Sequence, residues 1–95
     1  MSAYFIAQVN VHDPEEYEKY RSKFMPILQQ YGGEVAAVDR EVKIIEGEWP
    51  HQGTVILKFP DEEQATKWYY SPEYQGIIQD RINSTNTNLI LMKGM

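Results

Sequence analysis

"TVILKFPDEEQATKWYYSPEYQGIIQDR", Thr54 to Arg81, contains a strand, a stop, a helix, a break and a second helix. Val55, Leu57 and Phe59 alternate with Thr54, Ile56 and Lys58, the two-residue period of a strand whose faces differ. Pro60 closes the run because proline cannot donate to a strand ladder. Asp61 followed three residues later by Gln64 resembles a capping box, and Ala65, Trp68 and Tyr69 give the helix that follows its apolar face. Ser71 then caps a new helix, Pro72 fits its first position, and Glu73 complements the dipole of its first turn. The break is therefore a restart, and the inward stripe continues through Tyr74, Ile77 and Ile78 to Arg81.

Working outward, Ala3 to Val11 alternates Phe5, Ala7, Val9 and Val11 with Tyr4, Ile6, Gln8 and Asn10, a second strand. Asp13-Pro14 starts a helix in which Tyr17, Tyr20, Phe24, Ile27, Leu28 and Tyr31 form one stripe. Pro26 predicts a kink near Lys23 to Met25, and Gly32-Gly33 ends the helix. Glu34 to Val38 and Val42 to Glu46 read as a hairpin around Asp39 to Glu41, "GEWPHQG" as a loop, "NSTNTN" as a polar connector outside the core, and "LILMK" as the last strand. The predicted order is βαββαβ, an α+β ferredoxin-like antiparallel sheet with two helices on one face, the second broken at Ser71-Pro72. Residues 1–95 read as a single domain.

That layout leaves one sheet face bare. Phe5, Ala7, Val9, Val55, Leu57 and Phe59 suit the helix-covered side. Ile6, Gln8, Asn10, Thr54, Ile56, Lys58, Ile90 and Met92 fall on the other, which is neither a clean core nor a clean solvent face. An exposed, partly apolar face of this extent calls for a partner. Chain length argues the same way, since 95 residues bury roughly 60–65% of their unfolded surface.

Composition narrows the partner. Fourteen acidic residues against nine scattered basic ones disfavour nucleic acid and anionic membrane. The absence of cysteine removes disulfides, thiol nucleophiles and zinc-thiolate sites and fits a reducing compartment. "MSAYFIAQVNV" has no charged leader or cleavage site and reads as a strand, and no apolar run is long enough to span a membrane. "NST" at Asn83 reads as a chance sequon. A cytoplasmic protein is expected.

Four places could carry chemistry. His12-Asp13 could pair as a base, or Asp13 could cap a helix beside an exposed His12. "EGEWPHQG" gathers Glu46, Glu48, Trp49 and His51, which either line a small-molecule pocket or form a surface turn with Trp49 folded over the sheet edge. Arg81, on an apolar stripe, either extends to water, joins an ion pair or meets an anionic ligand. Gln8, Asn10, Thr54 and Lys58 would line a cavity if a second sheet covered them.

"DPEEYEKY", "YGGEV", "IIEGEWP", "ILKFPDEEQATKWYYSPEYQ" and "LILMKG" resemble the small bacterial domain-of-unknown-function family of the dimeric α+β barrel superfamily. The resemblance spans nearly the whole chain. It implies a ferredoxin-like subunit whose bare sheet face packs on its twin, with ligand-sized space between sheet and helices. Superfamily relatives include cofactor-free monooxygenases, muconolactone-isomerase-like proteins and dye-decolourising haem enzymes, so fold alone does not choose a reaction. The family pattern highlights Asp13, Gly33, Glu46, Gly47, Trp49, Phe59, Ser71, Tyr74 and Arg81. Similar members carry Arg-Gly-Gly in the hairpin where Val38-Asp39-Arg40 stand here, leaving Arg40 as the partial substitute.

The reading that follows is a homodimeric small-molecule-binding protein, or a cofactor-independent enzyme acting on a small aromatic or carboxylate-bearing metabolite. Trp49, Tyr69 and Tyr74 would wall its site, Arg81 would hold an anion, and Glu46 or His51 would carry a proton, with no metal and no cofactor. The alternative is a non-catalytic dimeric structural or regulatory module with Arg81 and Glu46 in structural ion pairs.

Overall fold

The structure, a computed structural model, describes residues Met1–Met95. Its elements are β1 (Ala3–Val11), α1 (Pro14–Gln30), β2 (Glu34–Asp39), β3 (Gly53–Phe59), α2 (Glu62–Tyr69), α3 (Pro72–Ser84) and β4 (Thr85–Lys93). The strands pair antiparallel in the order β2-β3-β1-β4, and the helices lie on one face of that sheet, the α+β ferredoxin-like arrangement.

Each helix begins on the residue its sequence marks. The Asp13 carboxylate accepts the Glu16 N–H at 3.3 Å, and the Asp61 carboxylate accepts the Gln64 N–H at 2.7 Å. The Gln64 side chain does not return the bond; it donates to the Tyr31 carbonyl at 2.8 Å and ties α2 to the end of α1. Ser71 serves two helices at once: its hydroxyl donates to the Trp68 carbonyl at 2.7 Å and accepts the Tyr74 N–H at 3.1 Å. One buried side chain thus satisfies an orphan acceptor of α2 and an orphan donor of α3. Across the joint, Tyr31 Oη and Gln30 Nε2 each donate to the Glu73 carboxylate at 3.0 Å.

Helix α1 continues through Pro26 to Gln30 as one element, and Gly32, with φ +76°, turns the chain out of it. Gly33 is required by closeness: a Cβ there would lie 2.5 Å from Leu28 Cδ1 and 2.7 Å from Phe59 Cε1. The packed core gathers at this end of the sheet, where Ala3, Leu28, Phe59, Ala65 and Trp68 are 2% exposed or less. Burial of a large apolar side chain of this kind contributes about 1.5–3 kcal/mol.

Two expected elements differ. Val42 to Glu46 is not a strand. Asp39 and Thr54 face each other, so β2 pairs directly with β3 across a loop from 40 to 52, within which the Val42 N–H donates to the Gln52 carbonyl at 3.4 Å. The outer edge of β2 stays unpaired, but the segment does not return to it: strand propensity yields here to the loop that carries the chain from β2 to β3. "NSTNTN" is not an outlying connector either: Asn83 and Ser84 close α3, and Thr85 to Asn88 open β4. Ser84 and Thr85 are buried because their hydroxyls bond locally, to the Asp80 carbonyl at 2.6 Å and the Arg81 carbonyl at 2.7 Å. The Ser84 carbonyl accepts the His12 and Asp13 N–H groups, knotting the end of β1 to the end of α3.

The uncovered face carries an apolar row. Ile56, Ile6 and Ile90 stand side by side on β3, β1 and β4, with Ala37 of β2 opposite Ile56. Ile90 and the nearby Met92 are 58% and 47% exposed.

Candidate functional site

The two halves of the covered face are closed differently. Helix α2 lies against β1 and β3, whereas α1 packs chiefly on α3 and stands off the sheet. The gap is a chamber of about 320 Å³ between α1, α3 and all four strands. Its floor is apolar, with Ala7, Val9, Val55 and Leu57 among its residues, and its walls are aromatic: Phe5, Phe24, Trp68 and Tyr74. The Trp68 and Tyr74 rings lie 4.1 Å apart, centroid to centroid, and both meet Tyr20 or Phe24 edge-on.

The polar atoms of the chamber collect where α1 meets α3. Tyr20 Oη and Tyr74 Oη, both on buried side chains, share a hydrogen bond of 2.8 Å. Burial holds the Tyr20 hydroxyl well above the usual tyrosine range, reinforced by Tyr74. Burial also raises Tyr74, against the opposing pull of the Arg81 guanidinium, and raises Tyr17, against Arg21, Arg81 and Arg40. All three tyrosines are therefore neutral donors near neutral pH. Arg81 lines the same chamber; its Nε is buried without a partner, and no carboxylate stands within ion-pair distance. Arg21 is the second cation, but it is largely exposed and 3.5 Å from Glu18. No Asp, Glu, His or Lys lines the chamber.

One end of the chamber, bordered by Val9, Tyr17, Arg21, Val38 and Val55, opens into a wider polar mouth. Asp39, Arg40, Glu41 and His51 line that mouth. The residues singled out from sequence separate accordingly. Tyr74 and Arg81 are in the chamber; His51 is at the mouth; Tyr69 packs behind the wall on Phe5 and Trp68. Glu46 is exposed on the 40–52 loop and in no ion pair. Trp49 is on the other side of the sheet, where its Nε1 donates to Thr54 Oγ1 at 3.1 Å and anchors the loop to the uncovered face. His12 is exposed beside the capping Asp13.

Sequence reasoning treated Tyr17 and Tyr20 as core only and passed over Arg21. The signal was present: Tyr17, Tyr20, Arg21 and Phe24 are spaced i, i+3, i+4 and i+7, one face of α1. No three His, Asp or Glu side chains converge to hold a metal ion, and no helix is long and apolar enough to cross a membrane.

Several solved structures share this fold. A Rhodopseudomonas palustris protein of unknown function superposes with a TM-score of 0.78 at 17% identity, covering 99% of this chain and 82% of its own. SnoaB, a cofactor-independent oxygenase from Streptomyces nogalater, gives 0.67 at 13% identity, covering 99% and 93%. A dimeric ferredoxin-like protein of unknown function from Jannaschia sp. CCS1 gives 0.67 at 9% identity, covering 99% and 100%. No curated protein matches the sequence. A family model described as Domain of unknown function (DUF1330) matches residues 2–95, and the chain belongs to that family.

Proposed function

We propose that this is a homodimeric, single-domain, cytoplasmic protein that binds a small, flat, anion-bearing metabolite in the chamber between α1 and the sheet. The observation that carries the reading is Arg81, a cation without a carboxylate partner in a mostly apolar and aromatic cavity. Arg81 is half-buried, its Nε has no hydrogen-bond partner, and a ligand anion would supply one together with a counter-charge. A chamber of about 320 Å³ is within the range of small-ligand pockets. The same chamber would host a cofactor-independent reaction, a reading supported by its likeness in fold to SnoaB. His51, at the mouth, would be the group that exchanges protons with solvent; Glu46, the other candidate, lines neither the chamber nor its mouth.

The uncovered face supports the dimer. The Ala37, Ile56, Ile6 and Ile90 row is apolar and can face its own copy about a two-fold axis, the usual symmetry of homo-oligomers. The dimeric Jannaschia protein shares the fold.

Thermal melting against a panel of small aromatic carboxylic acids and phenols tests the reading. A ligand at a hundred times its Kd stabilises the folded state by about 2.7 kcal/mol, a clear rise in Tm. That rise is expected for at least one acid and is expected to shrink in Arg81→Met. A panel that leaves Tm unchanged, together with a monomer by light scattering at micromolar concentration, would remove both parts of the proposal.

A further inference from the structure

The chamber has an electrostatic peculiarity that bears on which form of a ligand it takes, and the inference rests on the binding role proposed above. Its facing charged and titratable groups can be named completely. Helix α1 contributes Tyr17, Tyr20 and Arg21; α3 contributes Tyr74 and Arg81; α2 contributes Trp68 and no ionisable group; the four strands contribute only apolar side chains and Thr87. The chamber therefore contains cations and neutral hydroxyl donors, and nothing in it can accept a proton at neutral pH.

The hydroxyl pair sharpens this. Tyr20 and Tyr74 hold two hydroxyl protons between them; one is used in their 2.8 Å bond, and the other is free for a ligand oxygen. Arg81, whose guanidinium acts on Tyr74, supplies fixed positive charge beside that donor. Preorganised donors and a cation in a water-poor site stabilise charge on oxygen far more than water does at the moment it forms. The walls add a shape requirement: closely packed rings offer flat faces to a flat ligand.

We propose that the chamber selects the ionised form of a conjugated, planar acid, a phenol or enol of about naphthol size, by holding its oxyanion between the Tyr20–Tyr74 hydroxyl pair and Arg81. Such an anion spreads its charge over the ring, so its aromatic body can be buried while its oxygen meets the donors. The proton leaves for solvent through the mouth, since no group in the chamber takes it. The protein thereby lowers the ligand's own pKa and presents an electron-rich phenolate or enolate without a base of its own. Any reaction at this site would begin from that activated anion.

A series of naphthols and nitrophenols reads this directly, because their neutral and ionised forms absorb at different wavelengths. Binding is followed separately by quenching of Trp68 in a Trp49→Phe background. Wild-type protein is expected to lower the apparent pKa of the bound probe by a unit or more, a tenfold or greater preference for the anion. Arg81→Met is expected to keep binding and lose most of the shift; Tyr74→Phe, which preserves the ring packing, is expected to lose part of it. A probe that quenches Trp68 but stays protonated, or whose pKa rises as an apolar pocket alone would impose, overturns this inference and leaves the binding role standing. Absence of quenching by every probe overturns both. An undiminished shift in Arg81→Met and Tyr74→Phe overturns the assigned oxyanion site. If Arg81→Met does not fold, the wild-type shift and the Tyr74→Phe variant decide the matter.

Discussion

The two tryptophans report on the two faces of one sheet. Trp68 is 2% exposed, closes the packed end of the covered face, and turns its ring toward Tyr74 in the chamber wall. Trp49 is 39% exposed, stands on the uncovered face and makes one hydrogen bond, to Thr54. The same alternating strands supply both environments. On the covered face the chain's own helices provide the second layer, whereas the isoleucine row on the other face finds no cover within the chain. The covered face is itself divided: α2 packs flush, and α1 is propped outward on α3 by the Tyr20–Tyr74 contact. The tightest packing is at the flush end and the open space at the propped end.

The largest test of this division is truncation of each tryptophan. Trp68→Ala should cost about 3–5 kcal/mol, the usual penalty for emptying a large aromatic site in a core. Trp49→Ala should cost about 1 kcal/mol or less, a lost bond at a wet surface. Denaturant unfolding at fixed protein concentration measures both, and similar losses for the two would erase the distinction between the faces.

Enlarging small residues probes the covered face more finely. Ala65→Leu at the flush end should cost about 1–3 kcal/mol through overpacking. Ala7→Leu, whose side chain would enter the chamber, should change stability by no more than about 0.5 kcal/mol while abolishing ligand binding. Equal destabilisation at both positions would mean that the chamber is filled in solution by its own side chains.

The smallest expected effect is alkaline. Because burial raises the hydroxyl pKa of Tyr20 and Tyr74 above the unfolded value of about 10, the unfolded chain loses its protons first. The stability this represents is fully present below about pH 10 and is lost as pH rises through the folded values. Tyr20→Phe should flatten that decline; an unaltered profile would show that the pair ionises as readily folded as unfolded.

Much of the fold could be read from local signals because the residues concerned act locally. Asp13, Asp61 and Ser71 cap their helices through bonds three residues long, and strand alternation assigned Phe5 and Leu57 to one face and Ile6 and Ile56 to the other. What could not be read depended on distant partners. Val42 to Ile45 has strand-forming residues, but β2 takes β3 as its partner, and the chain between them is a loop that pairs with neither. Polar Ser84 and Thr85 are buried because α3 supplies carbonyls for their hydroxyls and β1 supplies donors for the Ser84 carbonyl. Trp49 belongs to the uncovered face because Thr54 points there, a matter of register. Of the expected site residues, Tyr74 and Arg81 were legible on an inward helical stripe; that α1 stands off the sheet above them was not, since it depends on how α1 meets α3.

The most direct measurement uses the same two residues. Two single-tryptophan proteins, Trp49→Phe and Trp68→Phe, are titrated with a naphthol-sized aromatic acid while fluorescence is followed. Saturable quenching of Trp68, absent for Trp49 and lost when Ala7→Leu fills the chamber, is the predicted result. Quenching confined to Trp49, or unaffected by Ala7→Leu, would place the ligand on the other face and contradict the account.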